Sequence, residues 1–376
     1  MTGAGDFVER ALAGAGPAPR DPRPHLKDFA PERLREELAR RGVEGWRAGQ
    51  ITGWLYARGV DDPRAMTDLA LELRERLAAE FQTRALEVEA LARSADGTLK
   101  GRLVARDGAV LESVLIPEDD RTTLCVSTQV GCPLACSFCA TGALGFTRNL
   151  ATAEIVDQVC RMREALEPGR RITNLVFMGM GEPLLNLPAV LEAIRVLVHP
   201  KGFALAPRRV TVSTVGVVPK LETLLAETQV NLAVSLHASD DRLRDELVPL
   251  NRRFPLDVLL GALRESRHVT RRRPVFFEVT LLAGVNDSPE QAREIARRVR
   301  GIPCKVNVIP MNAHPDSPHG PPDAETTDRF TAELAGAGLR VTLRRSRGAD
   351  IDAACGQLAA RASRGAASKP PRREPD

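Results

Sequence analysis

Residues 131–140 read GCPLACSFCA, with Cys132, Cys136 and Cys139 inside eight positions. Cys125 lies seven positions upstream, Cys355 lies near the C-terminus, and the chain has seven cysteines in all. So tight a C-x3-C-x2-C group, with Gly131 and Pro133 shaping the loop, is a poor match to chance. It follows the apolar run TTLCVST (122–128), the first of a series of strand-like runs.

That series sets the fold class. ITNLVFM, RRVTVST, VNLAVSLH, VFFEVTLL and KVNVIP are further β-type runs, with helical patterns such as TAEIVDQVCRMREAL and SPEQAREIARRVR between them. Ser288 followed by Pro289 is a capped helix start. Six strand–helix repeats imply an α/β fold with a parallel sheet. Six units fall short of the eight that close a full barrel, so a partial (β/α)6 barrel is expected. A last strand-like run, LRVTLRRS, follows.

Upstream, apolar residues recur at helical spacing from Leu26 to Phe81, which predicts a small helical accessory domain over 25–84. It holds both tryptophans and the only tyrosine, in GWRAGQITGWLY, most simply as a small core. Residues 85–117 read as a β extension with a turn at RDG. The barrel core is expected over 118–350, followed by a short segment at 351–362 around Cys355. Residues 1–24, rich in Ala, Gly and Pro, and the basic stretch 363–376 are expected to be flexible.

Composition is that of an ordinary globular protein: 376 residues, 43% hydrophobic, 27% charged, formal net charge +4. No apolar run approaches the roughly 20 residues of a membrane span. The first residues lack a basic start followed by an apolar stretch, so a cytoplasmic protein without membrane contact is expected. Cysteines in that compartment point to metal or catalysis before disulfides.

Zinc wants four ligands in closed tetrahedral geometry, and here three thiols cluster without a second pair. Cys125 is a conceivable fourth ligand, which leaves a zinc-stabilised RNA-binding protein as an alternative. A four-iron cluster ordinarily takes four thiolates; three leave one iron open to bind something else. Polar residues recur at the ends of the strand-like runs: Gly179, Gly181 and Glu182 in VFMGMGEPLLN, Ser213 in VTVSTVG, Ser235 and His237 in VSLH, Asn312 in VIPMN. Singly, each reads as a satisfied polar group. Their repeated position points to a ligand site, because parallel α/β folds bind at the carboxyl ends of strands.

C-x3-C-x2-C after a first strand resembles the radical S-adenosylmethionine superfamily. TTLCVSTQVGCPLACSFCATGALGFTRNL, VFMGMGEPLLN, VTVSTVGVVP, AVSLHASDDRLRDELVPLN and IDAACGQLA together resemble the RlmN/Cfr family of RNA adenine methyltransferases, from about Leu26 to Leu358. The resemblance implies one 4Fe-4S cluster on Cys132, Cys136 and Cys139. It implies S-adenosylmethionine held by Gly181, Glu182, Ser213, Ser235, Leu236, His237 and Asn312, with two molecules consumed per methylation. Cys355 is then the methyl carrier, Cys125 the thiol that releases the product by disulfide formation, and Glu112 the base. The implied substrates are 23S rRNA, methylated at an adenine ring carbon, and certain tRNAs. The electron donor is of flavodoxin or ferredoxin type, and a monomer is expected. Carbon 2 is the RlmN outcome and carbon 8 the Cfr alternative; GMGEPL and GFTRNL are closer to RlmN. Val279 and Met311 stand where the family often has aromatic residues. Cys160 and Cys304 match no family role and read as packing residues. RHVTRRRP and LRRSRG are basic runs available to phosphate, the first more simply a solvated charged face.

Overall fold

The computed structural model describes residues 21–359. Of the expected flexible stretches, residues 1–20 and the whole of 363–376 lie outside the described residues. The strands in chain order are β1 (Leu86–Arg93), β2 (Leu99–Ala105), β3 (Val110–Pro117), β4 (Thr122–Cys125), β5 (Gln129–Gly131), β6 (Phe146–Asn149), β7 (Asn174–Phe177), β8 (Val210–Thr214), β9 (Asn231–Ser235), β10 (Val275–Leu281), β11 (Cys304–Pro310) and β12 (Val341–Leu343). Ten of them form one open sheet in the order β1-β2-β3-β4-β7-β8-β9-β10-β11-β12. From β4 onward every neighbour in it is parallel. Helices Thr152–Glu164, Leu187–Val198, Val218–Glu227, Leu256–Glu265, Pro289–Arg298 and Ala324–Gly336 provide the crossovers. The sheet is thus an open, partial barrel, with β12 as a seventh parallel strand at one edge and the antiparallel meander β1–β3 at the other.

Parallel strands covered on both sides read as unbroken apolar runs. Here β8 and β10 alternate instead: Val210, Val212 and Thr214 are buried while Thr211 and Ser213 are half-exposed, and Phe276 and Thr280 alternate with buried Phe277, Val279 and Leu281. The more open set lines the inside of an unfilled barrel, because side chains of successive strand residues take opposite faces.

The N-terminal helices Pro31–Arg40, Arg47–Thr52 and Leu71–Glu80 are joined to the outer helix Thr152–Glu164 through the turn Leu26–Asp28, where Ala153 N donates to Asp28 Oδ1 at 2.8 Å. Fully buried Lys27 reaches Asp61 Oδ1 at 2.7 Å and pairs with Asp157. Asp157 Oδ2 accepts from Ala85 N (2.8 Å) and Leu86 N (2.9 Å), tying the start of β1 to the same point. The tryptophans depart from the expected small core. Tyr56 is buried against Phe203, but Trp54 is only partly buried and Trp46 is 58% exposed. The helix passes into a π-turn at Gly53–Arg58, and Arg47 and Arg58 lie over the indole faces.

Candidate active site

A hairpin that periodicity did not reveal holds the cysteine loop. β5 and β6 pair antiparallel across it. Gly131 takes φ +75°, and a Cβ there would meet Gly145 O at 1.9 Å, so only glycine closes this hairpin. Cys132 N donates to Gly145 O at 2.8 Å, and Ala140 N donates to Gly356 O at 2.7 Å. The cysteine loop therefore touches the segment that carries Cys355. All seven cysteines are free thiols. Among the described residues no three Cys, His, Asp or Glu side chains converge on one point as ligands of a single metal ion do. Zinc needs its donors about 2.3 Å from a common centre, whereas the thiolates of an iron–sulfur cluster bind separate irons. Three free thiols on one loop, with Cys139 facing a cavity, fit the cluster.

That cavity, about 160 Å³, opens at the carboxyl ends of the parallel strands. It collects Cys139, Gly181, Glu182, Ser213, Ser235, His237, Asn312 and Cys355, which the sequence scatters over more than two hundred positions. Gly181 takes φ +98°, and a Cβ there would press on the Gln129 side chain at 2.5 Å. Glu182 N donates to Gln129 Oε1 (2.8 Å), and Met180 N to Ser127 Oγ (2.8 Å), so the β7 turn hangs from the stretch before the cysteines. Glu182 is 3% exposed; Oε1 accepts from Leu184 N and Oε2 from Val215 N, each at 3.0 Å. Burial pushes its carboxyl up to about 7, against the pull of the Val215 amide. His237 takes φ +59°, and its Nδ1 accepts from Thr280 N at 3.0 Å. Burial, with Arg244 nearby, pulls its pKa down to about 3 and keeps the ring neutral.

A second cavity, about 600 Å³, adjoins the first through Met178, Ile309, Asn312, Arg344 and Cys355. Cys125 lines this one, beneath an apolar wall of Val114, Ile116 and Val176 and a rim of Arg121, Arg345 and Arg347. Burial, reinforced by neighbouring Cys355, pushes the Cys125 thiol up to about 12. Cys355 itself is exposed. Its loop is pinned from three sides: Asn312 Nδ2 donates to Cys355 O (3.0 Å), Thr141 Oγ1 to Leu358 O (2.6 Å) and Gln357 Nε2 to Ala313 O (3.0 Å).

Four of the expected site residues line neither cavity: Cys132 and Cys136 on the cysteine loop, Leu236 and Glu112. Leu236 is 1% exposed in the core; its backbone, not its side chain, is engaged, with N donating to Glu278 O at 2.9 Å. Glu112 lies under the Cys355 segment, with Oε2 accepting from Ala359 N (3.0 Å) and Oε1 3.3 Å from Lys100 Nζ. Sequence reading also passed over Arg244. Buried at 1% exposure, it donates to Leu236 O (3.0 Å), Val215 O (2.6 Å) and Ser235 O (2.9 Å), fixing the loops after β8 and β9. A long cation in a helix reads as surface, so no signal marked it. Of RHVTRRRP, Arg273 is turned inward onto Val230 O and Leu225 O.

A partial barrel, a three-thiol loop after its first parallel strand and a ligand cavity at the strand ends define a radical S-adenosylmethionine enzyme. The radical SAM superfamily model matches residues 126–298, and the model of the ribosomal RNA large subunit methyltransferase N-terminal domain matches 25–82. The dual-specificity RNA methyltransferase RlmN of Syntrophobacter fumaroxidans is 48% identical over 335 residues, covering 89% of this chain and 98% of its own. That of Geobacter sulfurreducens is 47% identical over 333 residues, 89% of this chain and 91% of its own. A crystal structure of a radical SAM methyltransferase from Sphaerobacter thermophilus superposes with a TM-score of 0.84 at 47% identity, covering 90% of this chain and all of that one. The chain belongs to the RlmN family of radical SAM methyltransferases, whose superfamily implies S-adenosylmethionine and a 4Fe-4S cluster. No helix among the described residues is long and apolar enough to cross a membrane.

Proposed function

We propose that the chain methylates carbon 2 of an adenosine in 23S rRNA, and of an adenosine beside the anticodon in certain tRNAs, with Cys355 carrying the methyl group. One observation supports this above the others: Cys355 belongs to both cavities, one lined by the strand-end polar residues and one holding Cys125. Cys132, Cys136 and Cys139 hold the cluster. Gly181, Glu182, Ser213, Ser235, the Leu236 backbone, His237 and Asn312 hold S-adenosylmethionine, with the Glu182 carboxylate suited to its ammonium. When bound, the pair supplies a methyl group and one-electron chemistry, at two S-adenosylmethionine molecules per methylation. An electron-poor adenine carbon does not attack a sulfonium methyl, whereas a cysteine thiolate does.

Cys125 is the thiol that attacks the sulfur of Cys355, closing a disulfide and freeing the base. Glu112 takes the ring proton. The amide it now accepts from, Ala359 N, lies on the Cys355 segment, so the carboxylate is tied directly to the segment that carries the methyl. Electrons come from a flavodoxin or ferredoxin system, and the enzyme acts in the cytoplasm as a monomer. Mass spectrometry of 23S rRNA and tRNA from a deletion strain carrying this gene tests the reading. Restored 2-methyladenosine is expected; 8-methyladenosine alone would replace the carbon-2 assignment with carbon 8.

A further inference from the structure

The strand-end cavity holds a second carboxylate that the roles above leave unused. Glu278 sits in mid β10, in register with Ser235 of β9 and Asn307 of β11. It lines the cavity together with Thr280, two residues on and on the same face of the strand. It is 4% exposed. Oε1 accepts from Asn307 Nδ2 at 2.8 Å. Oε2 is buried without a hydrogen bond, and Arg344 Nη1 stands 3.6 Å away. A buried carboxylate oxygen lacking a donor is costly, and a ligand that brings a donor relieves the cost.

The ligand's donors narrow the choice. In the reading above, Glu182 takes the ammonium end of S-adenosylmethionine, and this inference rests on that reading. Glu182 follows β7, and Glu278 is three strands further along the sheet. Three strand spacings come to roughly 14 Å along the sheet and less across a curved barrel. The two carboxylates thus face opposite parts of an amino acid joined to a nucleoside. The vicinal hydroxyls of a ribose present donors that one carboxylate accepts, as acidic residues do at strand ends of other nucleotide-binding α/β folds. We propose that Glu278 is a further cofactor-binding residue, whose Oε2, ion-paired with Arg344 but without a hydrogen bond, accepts one from the ribose hydroxyls of S-adenosylmethionine. Arg344, beside Oε2 and common to both cavities, then keeps the carboxylate turned inward.

Binding, without turnover, tests this. Cluster-reconstituted protein is titrated calorimetrically with S-adenosylhomocysteine and with its 2′-deoxy and 3′-deoxy counterparts. Wild type should lose about 10- to 100-fold in affinity when the contacted hydroxyl is removed, the usual range for a hydrogen bond to a charged group. Glu278→Ala should weaken the ribose ligand by a similar factor and bind ribose and deoxy ligands alike. Glu278→Gln keeps an acceptor oxygen and should fall between; unchanged iron content and melting temperature show that it is intact. If both variants discriminate against the deoxy ligand as wild type does, or wild type ignores the loss of either hydroxyl, this inference is wrong while the cavity assignment stands. If wild type binds no S-adenosylhomocysteine, the cavity assignment fails and takes this inference with it.

Discussion

Asn312 Nδ2 donates a 3.0 Å hydrogen bond to the backbone carbonyl of Cys355. This contact, from the end of β11, fixes the exposed thiol where the two cavities meet. Asn312→Ala removes the donor and loosens the loop. Methylation of Cys355, read by peptide mass in GADIDAACGQLAAR, should slow about tenfold or more, while iron content stays at the wild-type level. Full methylation at the wild-type rate would mean that the Thr141 and Gln357 bonds suffice to hold the loop.

Replacing Cys132, Cys136 or Cys139 with Ala should each remove the brown chromophore and abolish cleavage of S-adenosylmethionine. Iron and sulfide analysis under anaerobic conditions checks this. A full cluster surviving in the triple variant is incompatible with the assignment.

Cys125→Ala should keep its iron and still methylate Cys355, because Cys125 lines the other cavity and not the cysteine loop. With no thiol placed to attack the Cys355 sulfur, protein from cells should carry covalently attached RNA that ribonuclease removes. Adding Cys355→Ala should abolish the attachment. A single variant that loses iron would instead make Cys125 a metal ligand.

Lys27→Met removes one of the two cations that Asp157 and Asp61 share, leaving Arg161 alone against two carboxylates. Breaking a buried pair from one side costs about 3–5 kcal/mol. With Arg161 still facing both carboxylates, a drop below that range in urea unfolding is expected, and Asp157→Asn added to it should cost less than the sum of the two single changes. Strict additivity would show that Lys27 and Asp157 do not act as a pair.

His25 is buried beside Lys27, and burial with that neighbouring charge pulls its pKa from 6.5 to about 3. Below pH 6.5 the unfolded chain takes up a proton that the folded chain refuses, so stability falls as pH drops. The slope is about 1.4 kcal/mol per pH unit, or roughly 2 kcal/mol from pH 6.5 to 5. Urea midpoints at pH 7.5, 6 and 5 should converge for His25→Asn and wild type as the pH falls. Parallel curves would place the titration at another group.

Much of the architecture was legible. Each of the six strand-like runs forms a parallel strand, and Ser288 caps its helix with Gln291 in a reciprocal box. These are local features: periodicity and capping depend on neighbours a few positions away. The β5–β6 hairpin was not legible, because strands of three and four residues carry no period and are fixed by Gly131 packing on Gly145. Trp46 was misplaced for a related reason, since an aromatic residue at the start of a short helix does not announce which face the rest of the chain covers.

The sequence by itself determined which groups are present and in what order: the three-thiol loop, the strand-end polar residues, the two separate cysteines. Chemistry of that kind is a property of residue types and short spacings. Only the tertiary structure decided who meets whom. Cys125 and Cys355, 230 positions apart, come to one cavity because β4 and the segment after β12 both border it. Glu278 becomes a buried carboxylate with one oxygen short of a hydrogen bond because parallel register sets it between Ser235 and Asn307. Arg244 becomes an interior clamp because three backbone carbonyls at the ends of β8 and β9 converge on it. Convergence of this sort depends on the path of the whole sheet, and no window of neighbouring residues contains it.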